Sequence, residues 1–221
     1  MKNIKTTVYI ADCDELKNSE LFNSSLASVK EYRKEKINKL RFYKDKRLSL
    51  GAELLLINAL DDVGIDYEKA EIILGENGKP YLSGNGIYYN LSHSGNLAVC
   101  AVSAEEVGVD IEKIEKVDLK IAKRVLSASE MKEFEMLCND EEKKRELIRL
   151  WTLKESYMKY KGAGFGIDPR SVCFAEKEKN KEPGNLFFSQ YKLENYYISC
   201  CAKNNCFEDD LTFISLDNIN Y

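Results

Sequence analysis

Apolar residues recur along this chain at two periods, two for strands and about 3.6 for helices. "KTTVYIADCD" reads as an opening strand, rich in Thr, Val, Tyr and Ile. The basic segment after it reads as helical, and "RLSLGAELLLINALDDVG" as a second helix with apolar residues at helical spacing. Gly, Asn and Pro punctuate "EIILGENGKPYLSGNGIYYNLSHSGNLAVCAVS" into short strands and turns, with "NLAVCAVS" as a core strand. "EVGVDIEKI" is a further strand. "SASEMKEFEML" opens with Ser127 three residues ahead of Glu130, the start of a capping box. "ELIRLWTLKESYMKYKG" is a long helix ended by Gly162 and Gly164. The tail alternates strands about a Pro183–Gly184 turn and includes "YYISCCA".

The pattern echoes itself. The helix from Leu48 runs to "VGID" (63–66) and the helix from Leu147 to "FGID" (165–168); extended segments follow each. "LAVCAV" and "YISCCA" then hold similar places. An α+β fold of two related halves, 1–105 and 106–221, is expected.

Composition narrows the class. With 221 residues, 44% hydrophobic and 32% charged, the chain has enough apolar material for a core and is not a disordered one. A net charge of -4 argues against nucleic-acid binding through bulk electrostatics. No apolar run reaches a membrane span and no signal-peptide core opens the sequence. The seven cysteines are scattered without a C-x-x-C pair, and Cys100, Cys200 and Cys201 lie in apolar runs, which fits reduced thiols in a cytoplasm. Charge is uneven: residues 30–47 hold nine basic and three acidic side chains, a local +6 that leaves -10 elsewhere (-4 minus +6). Such a segment is either a solvated helix face or a seat for a small polyanion.

On a strand, Asp110 and Glu112 share a face while Val109 and Ile111 point to the core. Two neighbouring carboxylates repel unless a cation or proton separates them, and a few oxygen ligands plus substrate phosphate suit Mg²⁺. An isolated D-x-E can equally be two acids on a wet face. In "WTLKESYMKYKG", Glu155 and Lys159 are i, i+4 with Trp151 one turn earlier, either a surface ion pair or a metal ligand beside a phosphate-binding lysine. "GKP" places Lys79 and Pro80 on a turn that clamps a charged group or closes an ordinary hairpin. His93, the one histidine, lies too close to its flanking serines for a Ser-His-acid hydrolase, and no G-x-S-x-G elbow exists; a phosphate contact fits it better. A Mg²⁺-dependent nuclease is disfavoured because the residue two after Glu112 is Ile114 rather than lysine. A binding protein without catalysis has no need of the full acid set.

Together "GKP" (78–80), "NLSHS" (90–94), "GVDIE" (108–112) and "WTLKESYMKYKGAG" (151–164) resemble the 4'-phosphopantetheinyl transferase superfamily, in its long, surfactin-synthetase-activating type. The resemblance covers nearly the whole chain. It implies two pseudo-symmetric α+β halves with the active site between them, and transfer of phosphopantetheine from coenzyme A to a serine of an apo acyl or peptidyl carrier protein. Mg²⁺ is the implied cofactor, held by Asp110, Glu112 and Glu155, and adenosine 3',5'-bisphosphate the implied product. Glu155 would also deprotonate the serine, directly or through water, and Lys159 would contact the diphosphate. Lys154 adjoins it in the motif. Ser92 and His93 match phosphate contacts, Lys79 and Pro80 the nucleotide clamp, and Arg47 an arginine near the 3'-phosphate. Lys34 and Lys36 align ambiguously, and Phe165 falls on the carrier-facing side. The resemblance further implies a cytoplasmic monomer of secondary metabolism, because two halves in one chain replace a subunit interface.

Overall fold

The computed structural model of the chain describes residues 4–75, 77–84, 86–115, 117–175 and 185–219, with the Phe165 side chain outside that description. The Pro183–Gly184 turn expected from sequence also lies outside it.

Two sheets form the centre. The first has β4 (Tyr88–Ser94), β5 (Leu97–Ser103), β1 (Thr7–Asp12) and β9 (Thr212–Phe213) in that order. β1 runs antiparallel to β5 and parallel to β9. The second has β6 (Val107–Lys113), β8 (Tyr196–Ala202) and β7 (Phe187–Leu193), all antiparallel. A ribbon of β2 (Ile72–Leu74) and β3 (Pro80–Leu82) stands apart. This is an α+β architecture.

Strand alternation decides which faces meet. Val8, Ile10, Val99 and Ala101 of the first sheet and Val109, Ile111, Ile198 and Cys200 of the second form one shared core. The opposite face of the first sheet, with Tyr9, Ala98, Cys100 and Val102, is covered by α3 (Tyr43–Asp62). The opposite face of the second sheet is covered by α6 (Asp140–Lys161). The layers therefore read helix, sheet, sheet, helix. Leu216 and Ile219, beyond β9, return to the core under α3.

The basic segment is broken rather than continuous. α1 (Ser19–Ser28) precedes α2 (Glu31–Lys39), whose single buried stripe is Arg33 and Ile37, and α3 begins after an extended residue 42. Along the chain, the one-turn α4 (Ala122–Val125) and then α5 (Ala128–Glu135) come between β6 and α6. α5 starts with the capping box read from sequence, Ser127 and Glu130 bonding each other's backbone reciprocally. α6 ends at Gly162, which adopts a left-handed φ of 60° that few other residues tolerate. All seven cysteines are free thiols. Among the described residues no helix is long and apolar enough to cross a membrane.

Candidate active site

β4 and β6 are edge strands, and the two sheets meet where these edges run side by side. Side chains rather than a backbone ladder join them. Asn90 Oδ1 accepts from Val109 N at 2.9 Å, Ser92 Oγ donates to Asp110 Oδ1 at 2.9 Å, and Ser94 Oγ donates to Glu112 Oε2 at 2.7 Å. The i, i+2 spacing of "NLSHS" thus meets the i, i+2 spacing of "GVDIE".

α6 closes the other side. Its Trp151, Glu155 and Lys159 stripe faces the cleft, with Asp45, Ser49 and Ala52 of α3 across from it. The helix sits directly on β6 because residue 108 is glycine: a Cβ there would collide with the Ser156 carbonyl and the backbone of Tyr160. Gly108→Ala is accordingly expected to lift α6 off β6, costing about 1–3 kcal/mol of stability. It should lower activity more than any surface substitution; urea denaturation beside turnover checks this. A variant with unchanged stability and rate would show that the helix does not need this contact.

The cleft so formed has a volume of about 630 Å³ and is lined by Asp110, Glu112, Glu155, Lys159, Ser92 and His93. Pro80, Leu91, Arg33, Lys36 and Leu40 line the same cleft. Lys159 Nζ donates to Asp110 Oδ1 at 2.7 Å and to Ser92 Oγ at 2.8 Å. Asp110 is 3% exposed, and its Oδ2 is buried with no partner. Burial, then Asp110, raises the Glu112 carboxyl, and hydrogen bonds from Ser94 and Trp151 offset part of this. Glu155 is pushed up to about 7, by burial first and then by Asp110, with Lys159 opposing. His93 is solvent-exposed at the cleft wall, yet enough protein surrounds the ring that desolvation, followed by the Lys159 charge, lowers its pKa. The ring is reachable from the cleft, and the lowered pKa favours its neutral form.

Among the described residues, no three His, Cys, Asp or Glu side chains stand ready as a metal cage. The donors nonetheless fit a hard cation. They are all carboxylate oxygens, they destabilise one another's charge, and one buried oxygen lacks any partner, the situation that Mg²⁺ relieves.

Three expected contacts are elsewhere. Lys154 is fully buried, and its Nζ donates to Glu130 and to the carbonyls of Val125, Pro169 and Val172, so it holds α6 to the segments on its far side and touches no ligand in the cleft. Burial lowers its pKa, and Glu130 opposes that shift. The Lys79 ammonium pairs with Glu106 and donates to the carbonyls of Val107 and Tyr160. It ties β3 to the end of α6, and Lys79 with Pro80 lines a pocket shared with Glu155 and Lys159. Arg47 donates to Cys13 O at 3.1 Å and Asp14 Oδ1 at 2.6 Å and borders a neighbouring pocket shared through Glu112. Lys34 pairs with Glu31 on α2 and is not on the cleft wall, whereas Lys36 is. The buried cation on the cleft lining is Arg33, which the sequence reading did not name. Its signal was there: at i, i+4 from Ile37 it falls on the buried stripe of α2.

Comparison with known proteins agrees with this geometry. The sequence pattern of the 4'-phosphopantetheinyl transferase superfamily matches residues 106–201, and that of the 4'-phosphopantetheinyl transferase N-terminal region matches residues 17–105. The chain belongs to this superfamily. It is 30% identical to 4'-phosphopantetheinyl transferase gsp of Aneurinibacillus migulanus, over 82% of this chain and 79% of that one. It is 33% identical to 4'-phosphopantetheinyl transferase psf-1 of Bacillus pumilus, over 82% of each. Sfp of Bacillus subtilis strain 168 is 26% identical over 91% of this chain and 92% of its own. The surfactin-activating type read from the motifs is therefore the right branch of the family, and the chain is an enzyme of that kind.

Proposed function

We propose that the protein transfers the 4'-phosphopantetheine of coenzyme A to a serine hydroxyl of an apo acyl or peptidyl carrier protein, with Mg²⁺, releasing adenosine 3',5'-bisphosphate. The observation that carries this reading is the convergence of Asp110, Glu112 and Glu155 with Lys159 on one cleft wall, around a buried carboxylate oxygen that has no partner.

The chemistry follows from those groups. The serine oxygen forms a bond to the phosphorus that bears the pantetheine, and the bridging P–O bond to the nucleotide breaks. Glu155, a carboxylate on the cleft wall beside Lys159, takes the serine proton, directly or through water. Lys159 moves from Asp110 to the diphosphate, where its charge stabilises what develops on the leaving oxygen. Asp110, Glu112 and Glu155 would hold Mg²⁺, which when bound supplies Lewis-acid neutralisation of the diphosphate. Ser92 and His93 line the phosphate path, Pro80 flanks the nucleotide, and Arg33 with Lys36 receives the 3'-phosphate. Within this reading the half 1–105 carries the nucleotide and the half 106–221 the acids and the carrier-facing side. The enzyme works as a cytoplasmic monomer on a protein substrate, without nucleic acid or membrane.

The test is intact-mass analysis of apo carrier proteins incubated with the enzyme, coenzyme A and Mg²⁺. One added phosphopantetheine, absent after chelation, is the expected result. Binding of coenzyme A without a mass gain on any carrier, or a gain indifferent to chelator, would overturn the reading.

A further inference from the structure

Behind Arg33 on the cleft wall lie two buried polar side chains, Glu53 and Tyr67, that the reaction itself leaves unused. Glu53 on α3 is 1% exposed, Tyr67 6% and Arg33 8%. The Tyr67 hydroxyl donates to Glu53 Oε1 at 2.6 Å. Glu53 Oε2 lies 2.8 Å from Arg33 Nε, but the N–H is not aimed at it, so the contact is ionic rather than a formed hydrogen bond. Arg33 Nη2 donates to Ser49 O at 3.0 Å and Ser49 Oγ at 3.2 Å. Tyr67 is itself fixed, since Lys30 stacks over its ring at 5.1 Å.

A buried carboxylate and guanidinium cost several kcal/mol of desolvation, so their retention calls for a use. Packing alone does not supply one, because an apolar residue would fill the space at lower cost. The use is direction. Arginine's planar fork recognises phosphate only when its plane is held, and here Ser49 holds one edge while Glu53 holds another. The held group borders the same cleft, one helical turn from Lys36, and its partners are Ser49 and Glu53 rather than any of the three acids. Coenzyme A carries its diphosphate at one end of the nucleotide and one further phosphate on the ribose. With the diphosphate at Lys159, the ribose phosphate is the anion left for this cluster.

We propose that Glu53 and Tyr67 are positioning residues that hold the Arg33 guanidinium for the 3'-phosphate, and so set the preference for coenzyme A over its 3'-dephospho form. This rests on reading the cleft as a coenzyme A site.

The test compares both donors in steady-state transfer to one apo carrier, for wild type, Glu53→Gln and Tyr67→Phe. Glu53→Gln should raise KM for coenzyme A about tenfold, the cost of misdirecting one charge-assisted contact, with kcat within about threefold. KM for dephospho-coenzyme A should move far less, so the preference between donors collapses. Tyr67→Phe, which keeps the volume and the carboxylate, should shift the ratio the same way by about threefold. If Glu53→Gln does not fold, Tyr67→Phe alone carries the decision. Equal changes for both donors, or none, would overturn the inference and leave a merely structural network. A wild type that transfers from both donors without distinguishing them overturns this inference alone, whereas one that transfers from neither removes the coenzyme A reading and this inference with it.

Discussion

Glu155→Gln is expected to lower kcat by about 10²–10⁴ while coenzyme A binding stays near the wild-type value. Glutamine keeps the shape and one oxygen of the side chain but cannot take the serine proton, and Asp110 and Glu112 remain as anionic donors. Single-turnover transfer beside calorimetric titration of coenzyme A separates the two effects. Near-wild-type transfer would remove Glu155 from the role of base. The same variant carries a second, opposite signature. The carboxyl sits near 7 instead of its ordinary 4.5, held up by burial and then by Asp110. The folded state thus holds the proton more tightly than the unfolded one. The stability this contributes is complete below the ordinary value and is lost as pH rises through the raised one. With chelator present, Glu155→Gln should therefore melt above wild type at about pH 8, and the gap should close as pH falls toward the ordinary carboxyl value. A variant that melts lower at all pH values would contradict the mutual repulsion of the three acids.

The largest stability effect belongs to the residue one position earlier. Lys154→Met should cost about 3–5 kcal/mol, because it leaves the Glu130 carboxylate buried without its cation. Glu130 has 1% exposure and accepts from Ser127 N and Phe174 N besides Lys154. Two backbone donors do not balance a full charge in so dry a place. Three backbone carbonyls, of Val125, Pro169 and Val172, lose their donor as well. Guanidinium denaturation measures the loss. Combining it with Glu130→Gln, which still completes the capping box, should recover part of the stability. No recovery in the double variant would mean that the carbonyls, rather than the ion pair, dominate.

Much of the fold was legible because strand and helix periods are local. Val107, Val109 and Ile111 of β6 face the shared core, while Asp110 and Glu112 face the cleft; the facing alternates although 107–111 are all buried. The Trp151, Glu155, Lys159 stripe follows from helical spacing, and the capping box from four residues. These readings brought the acids, Lys159, Ser92 and His93 to one wall. Spacing does not say which cation gains which partner across the chain. Lys154 meets Glu130, Lys79 meets Glu106, and Arg47 meets Asp14 only once helices and sheets have packed. Each of these cations was read from sequence among the coenzyme A contacts and is engaged in an ion pair within the chain. Arg33, by contrast, looked like one more charge on a solvated helix, and α2 turns it inward onto Glu53.

The return of the chain to its own beginning sets an order on synthesis. β1 lies between β5 and β9, and Tyr9 finds its outer partner only in Thr212. Until β9 arrives, the apolar strand "TVYIAD" is the edge of its sheet, with open backbone groups, and the core under α3 lacks Leu216. The half that opens the chain is therefore the one that must wait longest to finish. A nascent protein with both long helices and eight strands in place still carries a sticky edge, and this interval is where chaperone dependence and edge-to-edge association concentrate.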